Sequence, residues 1–245
     1  MQSATISKSC NITCSTFAKV LTCQKFLDWT ERIEKNVDVE VNAIDIRDVF
    51  MFGPNVGFIV MLVDCKSKKT GQHLPGYVML RGDAVAILTI VKNTDTSELF
   101  LILTRQQRLP VGMMIDEIPA GMMDEEQNIK SVALKELEEE TGLNHKKAQI
   151  QYEHLGKFIP SAGGCDEKLH CGYILFTMSS AEVENLHNQL HGEVGTIESI
   201  RLQIIPFTMT AVIGTLDSKC MCACLMFLEK FNILPKGQFK LCDEQ

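Results

Sequence analysis

Two kinds of hydrophobic spacing run along this 245-residue chain and predict different elements in different places. From residue 39 onward, apolar positions mostly alternate with polar ones or form short apolar runs, which is typical of β-strands. Around residues 26–36 and 129–140, apolar side chains recur every three or four positions, which is typical of helices. Strands on both sides of one central helix predict an α/β (α+β) fold, a sandwich with helices on both faces of a mixed sheet.

The N-terminal third predicts a small sheet of its own. The alternating segments 39–52 and 56–64 flank a Gly-Pro-Asn turn, which favours a hairpin. Phe26, Trp29 and Ile33 share one face of the preceding helical segment, where Trp29 is expected to pack. A sheet of this size is marginal by itself. We therefore expect it to pack on the main domain or on a second subunit.

These patterns divide the chain into three parts. We expect residues 1–25 to form a flexible N-terminus, residues 26–80 a helix and β-strand subdomain, and residues 81–240 the main domain. Residues 1–25 contain no Asp, Glu or Arg. A transit peptide is therefore the alternative for this segment, although such peptides are usually rich in Arg.

The central helical segment concentrates carboxylates on one face. Asn128 is a suitable N-cap, and Gly142 is a suitable left-handed residue after the last turn. At about 100° per residue, Glu136, Glu139 and Glu140 are neighbours. They repel one another, and they crowd the C-terminal half of the helix, where its dipole disfavours negative charge.

Two interpretations of this acidic face stay open at this point. One is a solvated surface, which is the usual setting of a run of charged residues. The other is a site for a hard divalent cation, because Mg²⁺ binds carboxylate, carbonyl and water oxygens together with substrate phosphates.

The spacing of this segment resembles the Nudix box, G-x5-E-x7-R-E-U-x-E-E-x-G-U, in which U is an aliphatic residue. Counted from Gly121, seven of the nine specified positions match. Gln127 replaces the first Glu, and Lys135 replaces the Arg. A Gln carbonyl can still accept a hydrogen bond from a Lys ammonium, but the bidentate Arg fork is lost. The resemblance implies the Nudix α/β/α sandwich with a mixed sheet, plus a small N-terminal β-sheet subdomain.

The same resemblance implies a metal site. It assigns Glu136 and Glu140 as the main ligands of Mg²⁺ or Mn²⁺, with Glu139 supporting or bridging. The family also uses the backbone carbonyl of the residue before the box Gly, which here is Ala120. The structural alternative is that Pro119-Ala120-Gly121 is only a turn.

Segments around the box narrow the resemblance to the ADP-sugar/ADP-ribose pyrophosphatase branch of the family. In chain order, these segments are RGDAVAIL, TRQQRLPVG, EIPAGMMDEE and PSAGGCDE. With PGYVMLRG, they also look similar to plant-type ADP-sugar diphosphatases, over roughly residues 26–235. The resemblance implies that Arg81, Arg108 and Glu117 bind substrate. Arg suits phosphate because its guanidinium is charged and bidentate.

The Gly-Gly loop is the second functional segment that the resemblance implies. Gly164 lets the backbone approach the substrate closely, and Glu167 is the base that activates the attacking water. Asp166 and Glu139 are the alternatives for the base. Phe50 and Phe52 are candidates for stacking on adenine.

The activity implied is metal-dependent hydrolysis of the diphosphate bond of a nucleotide sugar, such as ADP-glucose or ADP-ribose, to AMP and a sugar phosphate. Two alternatives stay open. Gln127 and Lys135 motivate a nucleotide-sugar-binding regulator with weakened or lost hydrolysis. The other alternative is a Nudix pyrophosphatase that acts on another nucleotide, such as a UDP-sugar.

Composition and charge limit the partners. The net charge of −7 argues against non-specific nucleic-acid binding, and no apolar run reaches the roughly 18 residues that a membrane span needs. The ten cysteines form no C-x2-C pair, so a zinc site is not expected. Reduced thiols and a cytoplasmic location are the default, with an organelle as the alternative. The partner expected besides a small-molecule substrate is a second copy of the chain, in a homodimer.

Overall fold

A computed structural model describes residues 4–123, 128–191 and 200–233 of the chain. The chain divides into two compact units. The first contains Met1–Asp83 and Ile159–Lys168, and the second contains Ala84–Phe158 and Leu169–Gln245. The segment Ile159–Lys168, which carries the Gly-Gly loop, groups with the first unit, and the hydrophobic pattern did not indicate this.

The first unit contains a four-stranded sheet in the order β1-β2-β3-β4, with two helices. Its elements are β1 (Thr5–Lys8), α1 (Cys14–Thr22), α2 (Gln24–Glu34), β2 (Val39–Phe52), β3 (Asn55–Ser67) and β4 (Tyr77–Leu80). The predicted hairpin is confirmed, since β2 and β3 pair antiparallel around Gly53, whose φ is +56°. Phe26 and Trp29 are buried in its core, as expected for packing residues.

Within the segment 1–25, for which we expected a flexible N-terminus, the described residues form a strand and a helix. Strand β1 pairs in parallel with β2, with Thr5 opposite Ala43. Helix α1 is capped by the Thr13 side chain, which accepts from the N–H of Thr16, and it buries Val20 completely. The short polar-apolar alternation of TISK and one Thr cap supply the local signals for these two elements.

The second unit is built on a mixed sheet. Among the described residues, its strand order is β11-β12-β6-β5-β10-β9, with β7 paired to β6 and β8 paired to β5. Its elements are β5 (Ala84–Asn93), β6 (Leu99–Arg108), β7 (Met113–Glu117), β8 (Ala120–Met122), α3 (Ile129–Thr141), β9 (Ile150–Phe158), β10 (Leu169–Met178), α4 (Ser180–Leu186), β11 (Leu190–His191), β12 (Ile200–Pro206), α5 (Met209–Gly214) and α6 (Ser218–Lys230).

Alternation along β5 places helices on opposite faces of this sheet. Ala86 and Leu88 point into the cluster that contains α6 residues, whereas Val85 and Ile87 point into the cluster that contains α3 residues. Because successive side chains of a strand face opposite sides, α3 and α6 cover different faces. The α/β/α sandwich with a mixed sheet is confirmed.

The remaining observations concern the short helices, the cysteines and the length of the helices. Helices α4 (Ser180–Leu186) and α5 (Met209–Gly214) are short, and α5 had not been predicted. Among the described cysteines, all are free; in α6, Cys220 and Cys224 are buried and Cys222 is half-buried. In the described part of the chain, no helix is long and apolar enough to cross a bilayer.

Candidate active site

Helix α3 is fixed at both ends as its sequence predicts. The Asn128 side chain accepts from the Ser131 N–H at 3.1 Å, and Gly142 ends the helix with φ +68°. Ala133 and Leu137 are fully buried against the sheet. These caps and contacts set the rotation of the helix, and they therefore set where its carboxylates point.

The Glu140 carboxylate is buried and held by two donors. Its Oε2 accepts from the backbone N–H of Ala120 at 3.1 Å, and its Oε1 accepts from Gln106 Nε2 at 3.1 Å. Burial raises the pKa of Glu140 to about 8; the Ala120 hydrogen bond opposes this shift, and the negative charge of Glu136 adds to it. Burial and the neighbouring Glu136 thus disfavour the charged form of Glu140, and a cation bound beside it would favour that form.

The Glu136 carboxylate lies directly over Gly121, the first residue of the box. A Cβ built on Gly121 would stand 2.0 Å from Glu136 Cδ, and it would overlap both carboxylate oxygens. Only glycine leaves this space, which explains why the sequence has no side chain here. The two carboxylates thus converge on adjacent residues of β8, Glu140 on Ala120 and Glu136 on Gly121.

The Ala120 carbonyl lies on the same edge of β8 as the Ala120 N–H, which donates to Glu140. Ile87 N–H donates to the Pro119 carbonyl, and Ala120 lies opposite Ala86 in the β5–β8 ladder. Hydrogen-bonded and non-hydrogen-bonded pairs alternate in an antiparallel ladder, so both the N–H and the C=O of Ala120 point away from β5. Since the N–H donates to Glu140, the carbonyl faces the same side.

Glu139 and Lys135 pair with each other along the helix. Lys135 Nζ lies 3.5 Å from Glu139 Oε2, one turn away. Gln127, the residue that we expected Lys135 to contact, lies outside the described residues. Glu138, the remaining glutamate of this acidic run, contacts His145 Nδ1 through its Oε1 at 2.7 Å.

The donor set of this site suits a hard divalent cation. Two carboxylates and one carbonyl supply oxygen only, and Mg²⁺ is typically bound through one or two carboxylates together with waters and substrate phosphates. Within the described ranges, no group of three or more His, Cys, Asp and Glu side chains is arranged to hold a metal ion. A site made here therefore depends on the backbone and the substrate as well as on Glu136 and Glu140.

Arg108 and Glu117 are brought together in the second unit. Arg108 Nε donates to Glu117 Oε2 at 2.5 Å, and Lys219 Nζ donates to Glu117 Oε1 at 2.5 Å. Arg105 instead forms a two-bond ion pair with Asp116, at 2.7 Å for each bond. Of the two arginines in the TRQQR segment, Arg108 is thus the one tied to a buried carboxylate.

Glu167 lies in the first unit, in contact with Arg81. Arg81 Nη2 is 3.4 Å from Glu167 Oε1, and Glu167 is buried. Asp166 accepts the backbone N–H groups of Arg81 and Gly82 at 2.9 and 3.2 Å, and it pairs with Arg32 at 3.2 Å. These bonds occupy Asp166, and they fix the chain beside Glu167.

The Gly-Gly loop is attached to β4 through its backbone. The Met79 N–H donates to the Gly164 carbonyl at 3.0 Å, and Cys165 pairs with Met79 in a parallel bridge. A Cβ added to Gly163 would meet no described atom within 4 Å, and one added to Gly164 would meet only Ser161 Oγ at 4.0 Å. Neither glycine has a positive φ. The described residues therefore leave open space over this part of the loop.

The structure brings the predicted residues into three groups. The first is Glu136 and Glu140 with Ala120, the second is Arg108 with Glu117, and the third is Arg81 with Glu167 beside Gly164. Sequence reasoning missed Gln106 and Lys219, which bind Glu140 and Glu117. Each lies 34 or more positions from its partner, so no local spacing could reveal it. A faint signal was Asp217, a helix N-cap two residues before Lys219.

Comparisons with known proteins identify the family of this chain. The NUDIX domain matches residues 80–213. Nudix hydrolase 14, chloroplastic, of Arabidopsis thaliana is 30% identical over 219 residues, which are 82% of this chain and 69% of that protein. ADP-ribose pyrophosphatase of Bacillus subtilis is 38% identical over 87 residues, which are 36% of this chain and 42% of that protein.

A solved structure supports the fold. A crystal structure of an ADP compounds hydrolase aligns with a TM-score of 0.57 at 17% identity, over 80% of this chain and 95% of that chain. At this identity, the alignment speaks for the fold alone. Because the NUDIX domain covers more than half of the chain, and the Arabidopsis relative is matched over two thirds of its length, this chain belongs to the Nudix family, as a pyrophosphohydrolase.

Proposed function

We propose that this protein hydrolyses the diphosphate bond of an ADP-linked compound, such as ADP-ribose or ADP-glucose, to AMP and a sugar phosphate. The observation that carries the proposal is the convergence of the Glu136 and Glu140 carboxylates on the Ala120-Gly121 backbone. The names of two relatives, ADP-ribose pyrophosphatase of Bacillus subtilis and of Saccharomyces cerevisiae, support the choice of substrate class.

Nudix hydrolases generally use divalent metals. In this chain, Glu136, Glu140 and the Ala120 carbonyl would hold Mg²⁺ or Mn²⁺, and Glu139 would support them. When bound, such a cation neutralises diphosphate oxygens and polarises the phosphorus. A cation at this position would offset the cost of keeping the buried Glu140 carboxylate charged beside Glu136.

The remaining groups bind the substrate and move the proton. Arg108, held by Glu117, and Arg81 bind negatively charged oxygens of the diphosphate or terminal ribose. Glu167 takes a proton from the attacking water as the water oxygen bonds to one phosphorus. The bond between that phosphorus and the bridging oxygen breaks, and the bridging oxygen leaves as part of the other phosphate monoester. Glu167 is proposed as this base from the family resemblance, and Asp166, which accepts the backbone N–H groups of Arg81 and Gly82 and pairs with Arg32, is one alternative. Glu139, paired with Lys135, is the other alternative.

A substrate panel tests the proposal. Purified full-length protein with Mg²⁺ or Mn²⁺ is incubated with ADP-ribose, ADP-glucose, UDP-glucose and ATP, and nucleoside monophosphate is measured. We expect AMP from the ADP-linked compounds and loss of activity with a chelator. If UMP from UDP-glucose is the main product, the substrate class is UDP-sugars and not ADP-linked compounds. If no compound releases a monophosphate, the proposal of hydrolysis is refuted.

A nucleotide-sugar-binding regulator is the second candidate function. The observation in its favour is the ion pair between Lys135, which replaces the family's Arg, and Glu139. This pair engages one of the carboxylates of the box. Calorimetry with ADP-ribose separates this candidate from the enzyme. Binding of ADP-ribose without release of AMP would favour the regulator.

We also propose a homodimer. Phe50 and Phe52, near the tip of the β2–β3 hairpin, are 49% and 45% exposed, and a second copy that covers them would remove this apolar area from water. Light scattering of the purified protein measures the mass. The compartment stays a prediction, cytoplasmic by default; the printed name of the Arabidopsis relative, chloroplastic, supports the organelle alternative.

A further inference from the structure

Lys219 is a half-buried cation between two buried carboxylates, Glu117 and Asp217. Its side chain is 16% exposed, and its Nζ lies 2.5 Å from Glu117 Oε1 and 3.0 Å from Asp217 Oδ1. Burial by itself lowers the pKa of Lys219, but the charges of Asp217 and Glu117 outweigh it and raise that pKa. Lys219 is therefore charged, and its position is fixed from two sides.

Glu117 links Lys219 to Arg108 through its two carboxylate oxygens. One carboxylate oxygen of Glu117 binds Lys219, and the other accepts from Arg108 Nε at 2.5 Å. The Arg108 side chain is 41% exposed. Among the described residues, no group pairs with its two terminal nitrogens. Arg108 is thus held at its inner nitrogen and presents the outer two to a ligand.

Asp217 ties the same helix end to the strand that leads into the metal site. Its carboxylate caps α6 by accepting from the N–H groups of Lys219 and Cys220, at 3.0 and 3.2 Å. The same carboxylate accepts from the Ile118 N–H at 3.2 Å. The first turn of α6 therefore holds residues 117 and 118, two positions before Ala120.

The four charged groups balance as a unit. Arg108 and Lys219 carry two positive charges, and Glu117 and Asp217 carry two negative charges. Removal of Lys219 leaves two buried carboxylates with one arginine. Glu117 is then free to leave the position in which it holds Arg108 Nε, since one of its two anchors is gone.

We propose that Lys219 is a positioning residue that orients Arg108 toward the substrate diphosphate through the carboxylate of Glu117. This inference rests on the proposed function, in which Arg108 binds the diphosphate. It assigns α6, which follows the matched NUDIX domain in the chain, a part in substrate binding. The effect should fall on the affinity for substrate more than on the chemical step.

A double-mutant cycle tests this role in the full-length protein. Lys219→Met is compared with Arg108→Ala and with the double variant, and AMP release from ADP-ribose gives kcat and KM. We expect Lys219→Met to raise KM about tenfold or more while kcat changes less than about threefold. In the Arg108→Ala background, Lys219→Met should add little, because its effect passes through Arg108. Lys219→Arg should restore part of the affinity.

Lys230→Met is the matched control. Lys230 lies in the last turn of the same helix and pairs on the surface with Glu153 at 2.7 Å. Its loss should leave kcat and KM within about twofold of the wild type, since exposed pairs contribute little. An equal effect of Lys230→Met and Lys219→Met would overturn the proposal. Full additivity of Lys219→Met and Arg108→Ala would overturn it as well.

A spectroscopic measurement detects the coupling between Lys219 and Arg108 in the absence of substrate. The Arg108 Nε–H signal, identified by its loss in Arg108→Ala, should shift or broaden in Lys219→Met and stay in place in Lys230→Met. An unchanged Arg108 signal in Lys219→Met would overturn the inference even if activity falls. If the wild type releases no monophosphate, the proposed function fails, and this signal still decides whether Lys219 positions Arg108.

Discussion

Substitution of Gly121 by Ala should separate catalysis from folding. A Cβ at this position would stand 2.0 Å from Glu136 Cδ, whereas non-bonded carbons settle at about 3.5–4.0 Å. The Glu136 carboxylate must therefore retreat by about 1.5 Å. This carboxylate is the end of a flexible side chain, so it can move without displacing the backbone or the core.

The structure gives an expected size for the change in kcat and for the change in the free energy of unfolding. A misplacement of about 1 Å in a reacting arrangement can lower the rate by about 10²-fold, so kcat for AMP release should fall by at least about that factor. Gly121 does not have a positive φ, so Ala can adopt its backbone conformation. Ala also restricts the unfolded chain, which contributes about 0.4–1 kcal/mol to stability. The free energy of unfolding should stay within about 1 kcal/mol of the wild type.

Steady-state kinetics with ADP-ribose and urea unfolding measure the two quantities, with two glycines as controls. A Cβ at Gly172 would meet the buried Tyr152 ring at 2.2 Å, so Gly172→Ala should lower the free energy of unfolding by about 1–3 kcal/mol. Gly214 has nothing within 4 Å of that position, so Gly214→Ala should leave activity unchanged. Wild-type kcat in Gly121→Ala would refute the role of Glu136. A loss of stability as large as that of Gly172→Ala would refute the separation.

Three further predictions follow from the same contacts. Glu167→Gln should lower kcat by about 10²–10⁴-fold with little change in KM, as for loss of a general base; a smaller loss than in Glu139→Gln would reassign the base. Tyr152→Phe should leave the free energy of unfolding at the wild-type value or raise it by up to about 1–3 kcal/mol. The reason is that the buried Tyr152 hydroxyl has no hydrogen-bond partner among the described residues. A clear decrease in the free energy of unfolding would contradict this prediction. Burial lowers the pKa of His191 below its usual 6.5, so the unfolded chain binds the proton more readily than the folded chain. The free energy of unfolding should therefore fall as the pH drops through about 6.5, and it should fall less in His191→Gln. Equal pH profiles of stability for the wild type and His191→Gln would contradict this prediction.

Local signals were sufficient for the elements that carry the candidate site. Asn128 and Gly142 predicted both ends of α3, because cap residues act within one turn of the helix. The alternation and apolar runs predicted the strands of the mixed sheet, because burial on one or both faces leaves that pattern. The family of the chain followed from fixed spacing within the box, which a helix converts into a single face.

Long-range contacts account for what the sequence could not predict. Lys219 and Glu117 lie 102 positions apart, and Gln106 and Glu140 lie 34 apart, so only the folded sheet brings them together. The pairing of β1 with β2 depends on tertiary contact as well, since a four-residue strand has little signal of its own. No local pattern indicates that Asp166, next to the proposed base, is occupied by backbone N–H groups.

Binding of Mn²⁺ to the Glu140→Gln variant, followed by electron paramagnetic resonance with kcat measured on the same preparation, tests the central claim most directly. Gln keeps the shape of Glu140 and can still accept from the Ala120 N–H, so the fold should persist. We predict a dissociation constant for Mn²⁺ at least about tenfold above that of the wild type and a kcat lower by about 10²-fold. Unchanged Mn²⁺ affinity together with near-normal kcat would contradict the assignment of Glu140 as a metal ligand.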